Sequence, residues 1–162
     1  RGDLVSAEML HNMYAGGCRI ICFGIETGSQ RVLDIVKKGG TVGLNRNAIK
    51  MAKSVGLKVK LFVMVGLPGE TEDDINRTIE FVRECDPDTV DCYITTPYPY
   101  TELWDDADKF GIKIKSFDWD SYFYAGMKGN VPVLMSTDKL SEKDITRLYR
   151  KIRNKLKKYI TV

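Results

Sequence analysis

Three short apolar segments alternate with helix-like segments, and this alternation is what most constrains the fold. The apolar segments run from Arg19 to Ile25, from Val59 to Val65 and from Thr89 to Thr96. Short apolar runs rich in β-branched residues are typical of buried strands. Strands that alternate with helices favour a parallel sheet with right-handed crossovers. The sequence therefore predicts an α/β fold in which ligands bind beyond the carboxyl ends of the strands.

The segments between and after the strands have the spacing and end signals of helices. Thr71 and Ser141 each begin a capping-box pattern, in which an acidic residue follows three positions later. The predicted helices are 6–15, 29–37, 44–55, 71–85, 102–110 and 141–159. Residues 111–136 show no clear period and are rich in aromatic side chains. These are Phe117, Trp119, Tyr122, Phe123 and Tyr124.

Composition narrows the class of protein. With 162 residues, 43% of them hydrophobic, the chain is long enough for one globular core. No run of about 18 apolar residues occurs and the start does not resemble a signal peptide, so we expect a cytoplasmic protein without a membrane partner. Its four cysteines are too few for a disulfide framework and are expected to be reduced, buried thiols.

The three strand exits carry the strongest candidates for a ligand site. Glu26 ends the first strand within a glycine-rich turn, and its carboxylate could accept hydrogen bonds from the two hydroxyls of a ribose. The alternative is a carboxylate that only favours the start of the next helix. Gly66–Leu67–Pro68–Gly69 ends the second strand and would let a flat ligand approach the main chain, or would be a tight connection without a ligand. Thr95–Thr96–Pro97 adds hydroxyls to the same rim.

A metal or hydrolase site finds little support. Cys18 and Cys22 have the spacing of the first two ligands in a C-x₃-C-x₂-C motif, but the third position is Ile25. We therefore expect core thiols and no metal ligand among them. His11 is the only histidine and lies on an ordinary predicted helix, so neither a zinc site nor a Ser/His/Asp triad is expected.

Three long segments, taken together, resemble the second half of a radical S-adenosylmethionine (radical SAM) domain. They read GCRIICFGIETGSQRVLDIVKKGGTV, GLKVKLFVMVGLPGETEDDINRTIEFV and DPDTVDCYITTPYPYTELWDDADKFG. The similarity is greatest to the Fe–S oxidoreductase group, which includes cobalamin-dependent methylases, anaerobic magnesium-protoporphyrin ester cyclases and methylthiotransferases. It implies the C-terminal half of a TIM-like (β/α) barrel over residues 1–112, followed by a helical extension over residues 113–162.

The resemblance also implies roles for individual residues. Glu26 would face the ribose of S-adenosylmethionine. Residues 64–68 match the fifth strand of the complete barrel and would lie against the adenine. Residues 95–97 match the end of the sixth barrel strand and would border the adenine. The implied cofactor-binding residues are Glu26, Met64, Val65, Gly66, Leu67, Pro68, Thr95, Thr96 and Pro97. Residues 1–3 would be the tail of the third barrel strand.

Two departures from the family are visible. The loop with three cysteines that holds the 4Fe–4S cluster is absent, so the chain is expected to be a fragment that is inactive alone. The resemblance also implies that cobalamin would bind in a domain upstream.

The second departure is Tyr100, which stands where relatives often have glycine. Because a tyrosine does not easily take a positive φ, a different turn is expected there.

Three classes of parent protein are compatible with the residues and the resemblance. The parent protein could act on a small molecule, could modify RNA as a methylthiotransferase does, or could be a non-catalytic nucleoside-binding or assembly module. The last predicted helix is basic, which suits RNA, although a docked helix with solvated lysines gives the same pattern. A half barrel has free strand edges, so self-association is expected, with two half barrels face to face.

Overall fold

The computed structural model describes residues 2–117, 119–123 and 132–160. It contains seven α-helices and five strands in these ranges. The helices are α1 (Ala7–Ala15), α2 (Gln30–Ile35), α3 (Val42–Ser54), α4 (Glu72–Cys85), α5 (Glu102–Asp105), α6 (Trp119–Phe123) and α7 (Glu142–Lys155). The strands are β1 (Ile20–Glu26), β2 (Lys58–Val65), β3 (Thr89–Ile94), β4 (Ile112–Ile114) and β5 (Met135–Thr137). Of the helices described, none is long and apolar enough to cross a membrane.

The main sheet has the predicted parallel topology. Its strand order is β1-β2-β3, and both neighbouring pairs are parallel. The three strands match the predicted segments to within two residues at each end. The pairing of β1 with β2 is regular up to Gly24 and shifts before Glu26, which is opposite Val63. The parallel α/β arrangement expected for part of a TIM-like barrel is therefore confirmed.

One face of this sheet carries the core. Alternate residues of β2 are buried, and they join apolar side chains of α3, α4 and α7 in a single cluster. The apolar stripes of the two helices that begin at capping boxes lie in it. The stripe residues are Ile75, Ile79 and Val82 of α4 and Ile145, Leu148 and Ile152 of α7, followed by Leu156 directly after α7. Burial of this stripe stabilises α7, whose other face is charged.

The opposite face of the sheet is more open and polar. It presents Cys22 from β1, Lys60 and Met64 from β2, and Tyr93 from β3, all exposed or half-buried. The expectation of four buried thiols is therefore wrong for two of them: Cys22 is exposed and Cys18 half-buried, while Cys85 and Cys92 are buried. The reason is the alternation of a strand, which directs Cys22 away from the helices that cover Phe23.

A second, two-stranded sheet follows the barrel-like part. Strands β4 and β5 are antiparallel, with Ile112 opposite Thr137 and Ile114 opposite Met135. The sequence indicated no regular structure here, because strands of three residues are too short to show a period. Helix α6 comes between them along the chain. Tyr124, one of the aromatic residues noted in the sequence, lies outside the described residues.

Three local expectations are corrected. Gly2–Leu4 form a 3-10 helix and not the tail of a strand, and Arg1 lies outside the described residues. The predicted helix 102–110 is split into α5 and the 3-10 turn Ala107–Phe110. Tyr100 does adopt a positive φ, of 63°. Thr101 holds that turn, because both its amide and its hydroxyl donate to the Tyr98 carbonyl.

Candidate functional site

The three predicted strand exits meet at one edge of the main sheet. Glu26 is beside Val63 in the register, and the amide of Thr95 donates to the Val65 carbonyl at 2.9 Å. The turn that begins at Gly66 therefore lies between the exits of β1 and β3. This arrangement follows from the parallel topology, since the carboxyl ends of all three strands share one edge.

Glu26 occupies a strained position at this edge. Its φ is 61°, in the left-handed region that glutamate rarely adopts, and it follows the register shift in β1. The side chain is 17% exposed, and its Oε1 pairs with the Lys38 Nζ at 2.5 Å. A Cβ on Gly24 would lie 2.7 Å from that oxygen, so glycine leaves room for the carboxylate. The Oε2 atom has no hydrogen bond within the described residues and could accept one from a ligand.

The turn Gly66–Leu67–Pro68–Gly69 contains two glycines with positive φ, of 87° and 66°. A Cβ at Gly66 would lie 3.3 Å from the Cδ1 atom of Ile145, so α7 supports the turn from behind. Among the predicted adenine contacts, Val65, Leu67 and Pro68 are buried, while Met64 is half-buried on the open face. Val65 and Leu67 therefore offer a ligand little side-chain surface, and the Val65 carbonyl and the Leu67 amide already bond to Thr95 and Glu70, whereas Met64 offers its side chain.

Glu70, which directly follows this turn, was missed by the sequence analysis. Its side chain is fully buried, and its Oε2 accepts hydrogen bonds from the amides of Gly66 at 2.7 Å and Leu67 at 3.3 Å. Burial raises the pKa of the Glu70 carboxyl to about 8, despite these two bonds. Its Oε1 is buried without a partner in the described part of the chain. The sequence signal that could have indicated Glu70 is its position directly after a Gly-x-Pro-Gly turn. Its burial could not be predicted from the sequence, because it depends on the packing of distant segments.

The exit of β3 completes the edge. Thr95 is buried, and its hydroxyl oxygen has no hydrogen-bond partner in the described structure. Thr96 donates its hydroxyl to the Ile94 carbonyl at 3.3 Å, and Pro97 is buried. Two buried oxygens without partners, on Glu70 and Thr95, are unusual because buried polar atoms are nearly always paired.

A buried polar network fixes the exit of β1 against α4. The Ser29 hydroxyl donates to Asp74 Oδ1 at 2.6 Å, and the Gly28 amide donates to Thr78 Oγ1 at 2.9 Å. Burial opposes ionisation of Asp74, but hydrogen bonds from Ser29, Thr71 and Arg31 prevail and lower its pKa to about 2. Asp74 is therefore charged at neutral pH and holds the start of α4, where the helix dipole favours a negative charge.

A second polar group, also missed in the sequence, lies on the open face of the sheet. The Lys60 Nζ is 2.7 Å from Asp91 Oδ2, and the Tyr93 hydroxyl donates to the same oxygen at 3.2 Å. The hydrogen bond to Asp91 raises the pKa of Lys60, and burial together with Asp91 raises the pKa of Tyr93. Both donors therefore stay protonated at neutral pH. The sequence offered no signal, because the three residues are brought together only by strand register.

The cysteines do not form a site for a cluster. Burial raises the pKa of Cys85 to about 11 and that of Cys92 further still, so neither thiol readily becomes the thiolate that binds iron. Within residues 2–117, 119–123 and 132–160, no three cysteine, histidine or acidic side chains converge in a way that could hold a metal ion. The residues in these ranges do not fit a 4Fe–4S cluster.

Several known proteins are similar in sequence to this chain, and each of the three described here is longer than the chain. An uncharacterized methyltransferase of Pyrococcus horikoshii is 32% identical over 151 residues, and the anaerobic magnesium-protoporphyrin IX monomethyl ester cyclase of Rubrivivax gelatinosus is 29% identical over 121. A protein of Methanocaldococcus jannaschii named as a methylthiotransferase is 38% identical over 105. These matches cover 93%, 74% and 65% of this chain. The chain spans only 31%, 21% and 23% of the three relatives.

Solved structures agree on the fold. Coproporphyrinogen III oxidase of Escherichia coli, a radical SAM enzyme, superposes with a TM-score of 0.67 at 14% identity, over 98% of this chain and 31% of that one. The radical SAM methyltransferase TsrM of Kitasatospora setae, solved with cobalamin and a [4Fe-4S] cluster, gives 0.60 at 19% identity over 72% of this chain and 25% of that one. The family model of the Radical SAM superfamily matches residues 1–82. Because that match covers half of the chain and the fold agrees, this chain belongs to the radical SAM superfamily.

Proposed function

We propose that this chain is the C-terminal half of a radical SAM domain in a longer enzyme, and that it supplies the adenosine-side wall of the S-adenosylmethionine pocket. Residues 1–112 would be the half barrel and residues 113–162 an extension that contributes α7 to the core. The observation that carries the proposal is the convergence of three strand exits at one edge of the sheet, where one oxygen of the Glu26 carboxylate has no partner in the described structure. The short span of the chain relative to its relatives supports its place in a larger protein.

The residues at this edge fit a nucleoside. The free oxygen of Glu26 can accept a hydrogen bond from a ribose hydroxyl, and the contact with Lys38 holds the carboxylate in place. Met64 and the backbone of the Gly66–Gly69 turn offer a flat, weakly polar wall for an adenine. Thr95, Thr96 and Pro97 would close the third side. When bound in the complete protein, S-adenosylmethionine with the 4Fe–4S cluster supplies radical chemistry.

The described residues offer no place for that cluster, so we propose that the thiolate ligands belong to the other half of the domain. The chain alone would then be inactive and would bind the cofactor weakly, because its contacts come from one side only. Iron analysis of the longer protein after anaerobic reconstitution tests this. About four irons per protein are expected, as in one 4Fe–4S cluster. A reconstituted longer protein without iron would leave only a nucleoside-binding or assembly module.

The substitution Glu26→Gln tests the ribose contact. In the longer protein we expect about tenfold weaker binding of S-adenosylmethionine, because one charge-assisted hydrogen bond is lost. Equilibrium binding of the cofactor measures this. Glu84→Gln is the matched control, because Glu84 also pairs with a cation, Arg46, but at the surface. Equal affinity in the Glu26 variant and the control would contradict the assignment.

We further propose a reaction class and a class of substrate. A small-molecule substrate, with cobalamin bound upstream, is consistent with the similarity to methyltransferase and cyclase sequences. An RNA-modifying methylthiotransferase is the second candidate, favoured by the similarity to the Methanocaldococcus protein. The basic face of α7 supports RNA binding less than its sequence suggested. Arg147 and Lys151 both pair with Glu72, at 3.0 and 2.7 Å, so part of its charge is already neutralised.

We also propose that the chain alone self-associates through its sheet. β1 and β3 are both edge strands, but the Tyr159 carbonyl already accepts the Val90 amide at 2.9 Å on β3. Pairing is therefore expected mainly at β1. Sedimentation at high concentration should show dimers that Ile20→Lys weakens, since Ile20 is exposed on β1. Leu44→Lys, exposed on α3, is the control. A monomer at every concentration would refute the proposal.

A further inference from the structure

A cluster of five aromatic rings lies beside the exit of β3. The aromatic cluster consists of Tyr98, Trp104, Phe117, Trp119 and Tyr122. The Trp104 ring is central, with centroids 5.4 Å from Phe117, 6.1 Å from Trp119 and 6.3 Å from Tyr122. Tyr122 also contacts Trp119 at 5.3 Å and Tyr98 at 5.9 Å. These distances are those of favourable aromatic pairs.

Most of the cluster is exposed, unlike a hydrophobic core. Tyr122 is its buried base at 6% exposure, and its hydroxyl donates to the Ser116 carbonyl at 2.9 Å. The rings above it remain open: Phe117 is 64% exposed, Trp119 57% and Tyr98 50%. Several large rings held together by one another and left open to water are unusual for packing alone. Contiguous exposed apolar surface of this kind marks a binding site.

The position of the cluster connects it with the candidate cofactor site. Tyr98 directly follows Pro97, the last residue of the β3 exit, and the Thr101 hydroxyl donates to the Tyr98 carbonyl at 2.6 Å. Trp104 lies in α5, six residues further along the chain. The rings of Phe117, Trp119 and Tyr122 come from the segment after β4. A ligand on these rings would therefore be near any group bound at the strand exits.

The charge around the cluster selects among aromatic ligands. Four carboxylates and two lysines lie between residues 101 and 113. The carboxylates are Glu102, Asp105, Asp106 and Asp108. Lys109 pairs with Asp106 at 2.6 Å, and the more distant Lys37 pairs with Glu102 at 2.5 Å. The surroundings are thus mildly acidic, which opposes the phosphates of a nucleic acid and suits an uncharged or cationic ring.

We propose that the aromatic cluster binds the planar, unsaturated ring of an uncharged or cationic small-molecule substrate. The proposal that this ring is a substrate of the radical SAM reaction rests on the proposed function, whereas ring binding itself does not. Stacking on aromatic side chains is tolerant of the identity of the ring, because every such ring has a π-face. The cluster would therefore orient a flat substrate at the rim and leave finer discrimination to other residues.

The two tryptophans of the chain are both in the aromatic cluster, which makes the test direct. The chain is titrated with proflavine, a planar cation, and binding is followed by quenching of tryptophan emission and by proflavine anisotropy. Saturable binding by both signals is expected. Cyclohexylammonium, a cation without a flat ring, should not compete. Competition by cyclohexylammonium would show that charge alone drives binding and would overturn the proposal.

Phe117→Ala and the double variant Phe117→Ala/Trp119→Ala locate the binding. Both side chains are largely exposed, so the fold should survive, and circular dichroism checks this. The anisotropy titration should show about tenfold weaker binding for the double variant, as expected for loss of stacking. Tyr100→Ala is the matched control, because Tyr100 is 96% exposed and outside the cluster. Equal affinity in folded cluster variants and in the control would overturn the proposal.

A fluorescein-labelled RNA octamer, titrated without proflavine because proflavine itself binds RNA, forms the last arm of the test. If the octamer binds the chain at least as tightly as proflavine does, and loses binding in the same variants, the surface is one for nucleic acid and the proposal is wrong. No binding of the octamer, or binding that the variants leave unchanged, supports the proposal. Failure of S-adenosylmethionine to bind the longer protein, with proflavine binding intact, would reject the proposed function and leave this inference standing.

Discussion

Replacing Glu70 with alanine is expected to lower the free energy of unfolding by about 3 kcal/mol or more. The substitution removes a fully buried side chain and leaves the amides of Gly66 and Leu67 without their acceptor. An unpaired buried amide costs about 1–3 kcal/mol, and the cavity adds to this. Urea denaturation measures the change. A loss below about 1 kcal/mol would mean that water or a shift of the turn satisfies these amides.

Glu70→Gln separates the charge of this residue from its hydrogen bonds. Glutamine keeps an acceptor for the two amides and resembles the protonated acid. The pKa of Glu70 is about 8 in the folded chain, against an ordinary value of 4.5. Between these pH values the unfolded chain has released this proton and the folded chain retains it. The contribution of Glu70 to stability is therefore complete below the lower value and declines as pH rises toward 8.

The expected result is a stability difference that grows with pH. Relative to the original chain, the Gln variant should gain stability from pH 5 to pH 8, on the order of a few kcal/mol. Asp74 does not interfere, because its pKa is lowered to about 2 and its contribution is lost only as pH falls below about 4. Parallel pH profiles for the two proteins would show that Glu70 titrates normally and would contradict the role assigned to burial.

The second large effect is expected for Gly28→Ala. A Cβ at this position would lie 2.7 Å from the Arg77 carbonyl oxygen and 2.8 Å from the Cα of Thr78. These are backbone atoms of α4, and they cannot give way as a flexible side chain can. The exit of β1 would have to move away from α4 and break the hydrogen bond from the Gly28 amide to Thr78. We expect a loss of about 3 kcal/mol or more.

Gly43→Ala is the control for this prediction. Gly43 lies in the first turn of α3, and a Cβ added there would have Thr41 Oγ1 as its nearest neighbour, at an ordinary contact distance of 3.6 Å. Alanine should be neutral there or stabilise the helix by up to about 1 kcal/mol. Thermal and urea unfolding of both variants provide the comparison. Similar stabilities for the two variants would mean that the contact of Gly28 with α4 is not as close as described.

The main sheet and its helices could be predicted because each element carries its own local signal. The three strands are short apolar runs, and α4 and α7 place apolar residues at helical spacing behind capping boxes. Strands β4 and β5 carry no such signal, since three residues cannot establish a period. Cys22 was misplaced because an apolar run does not reveal which face of a strand meets the helices.

The candidate site, too, could be predicted from the sequence only in part. Its location could be predicted, because parallel strands bring their carboxyl ends to one edge. The burial of Glu70 and the Lys60–Asp91–Tyr93 group depend on register and on the packing of distant segments, which single residues do not encode. The φ of Tyr100 was mispredicted because the two hydrogen bonds from Thr101 to Tyr98 outweigh a local preference of about 1 kcal/mol.

The left-handed backbone of Glu26 has a consequence for directed evolution. Glycine would relieve the strain at φ 61°, so a library selected only for heat resistance should drift toward glycine at this position. Under the proposed ribose contact, a library selected for the activity of the longer protein should retain glutamate. The residue frequencies at position 26 after the two selections would then show how strongly the requirements of stability and of activity conflict at this backbone position.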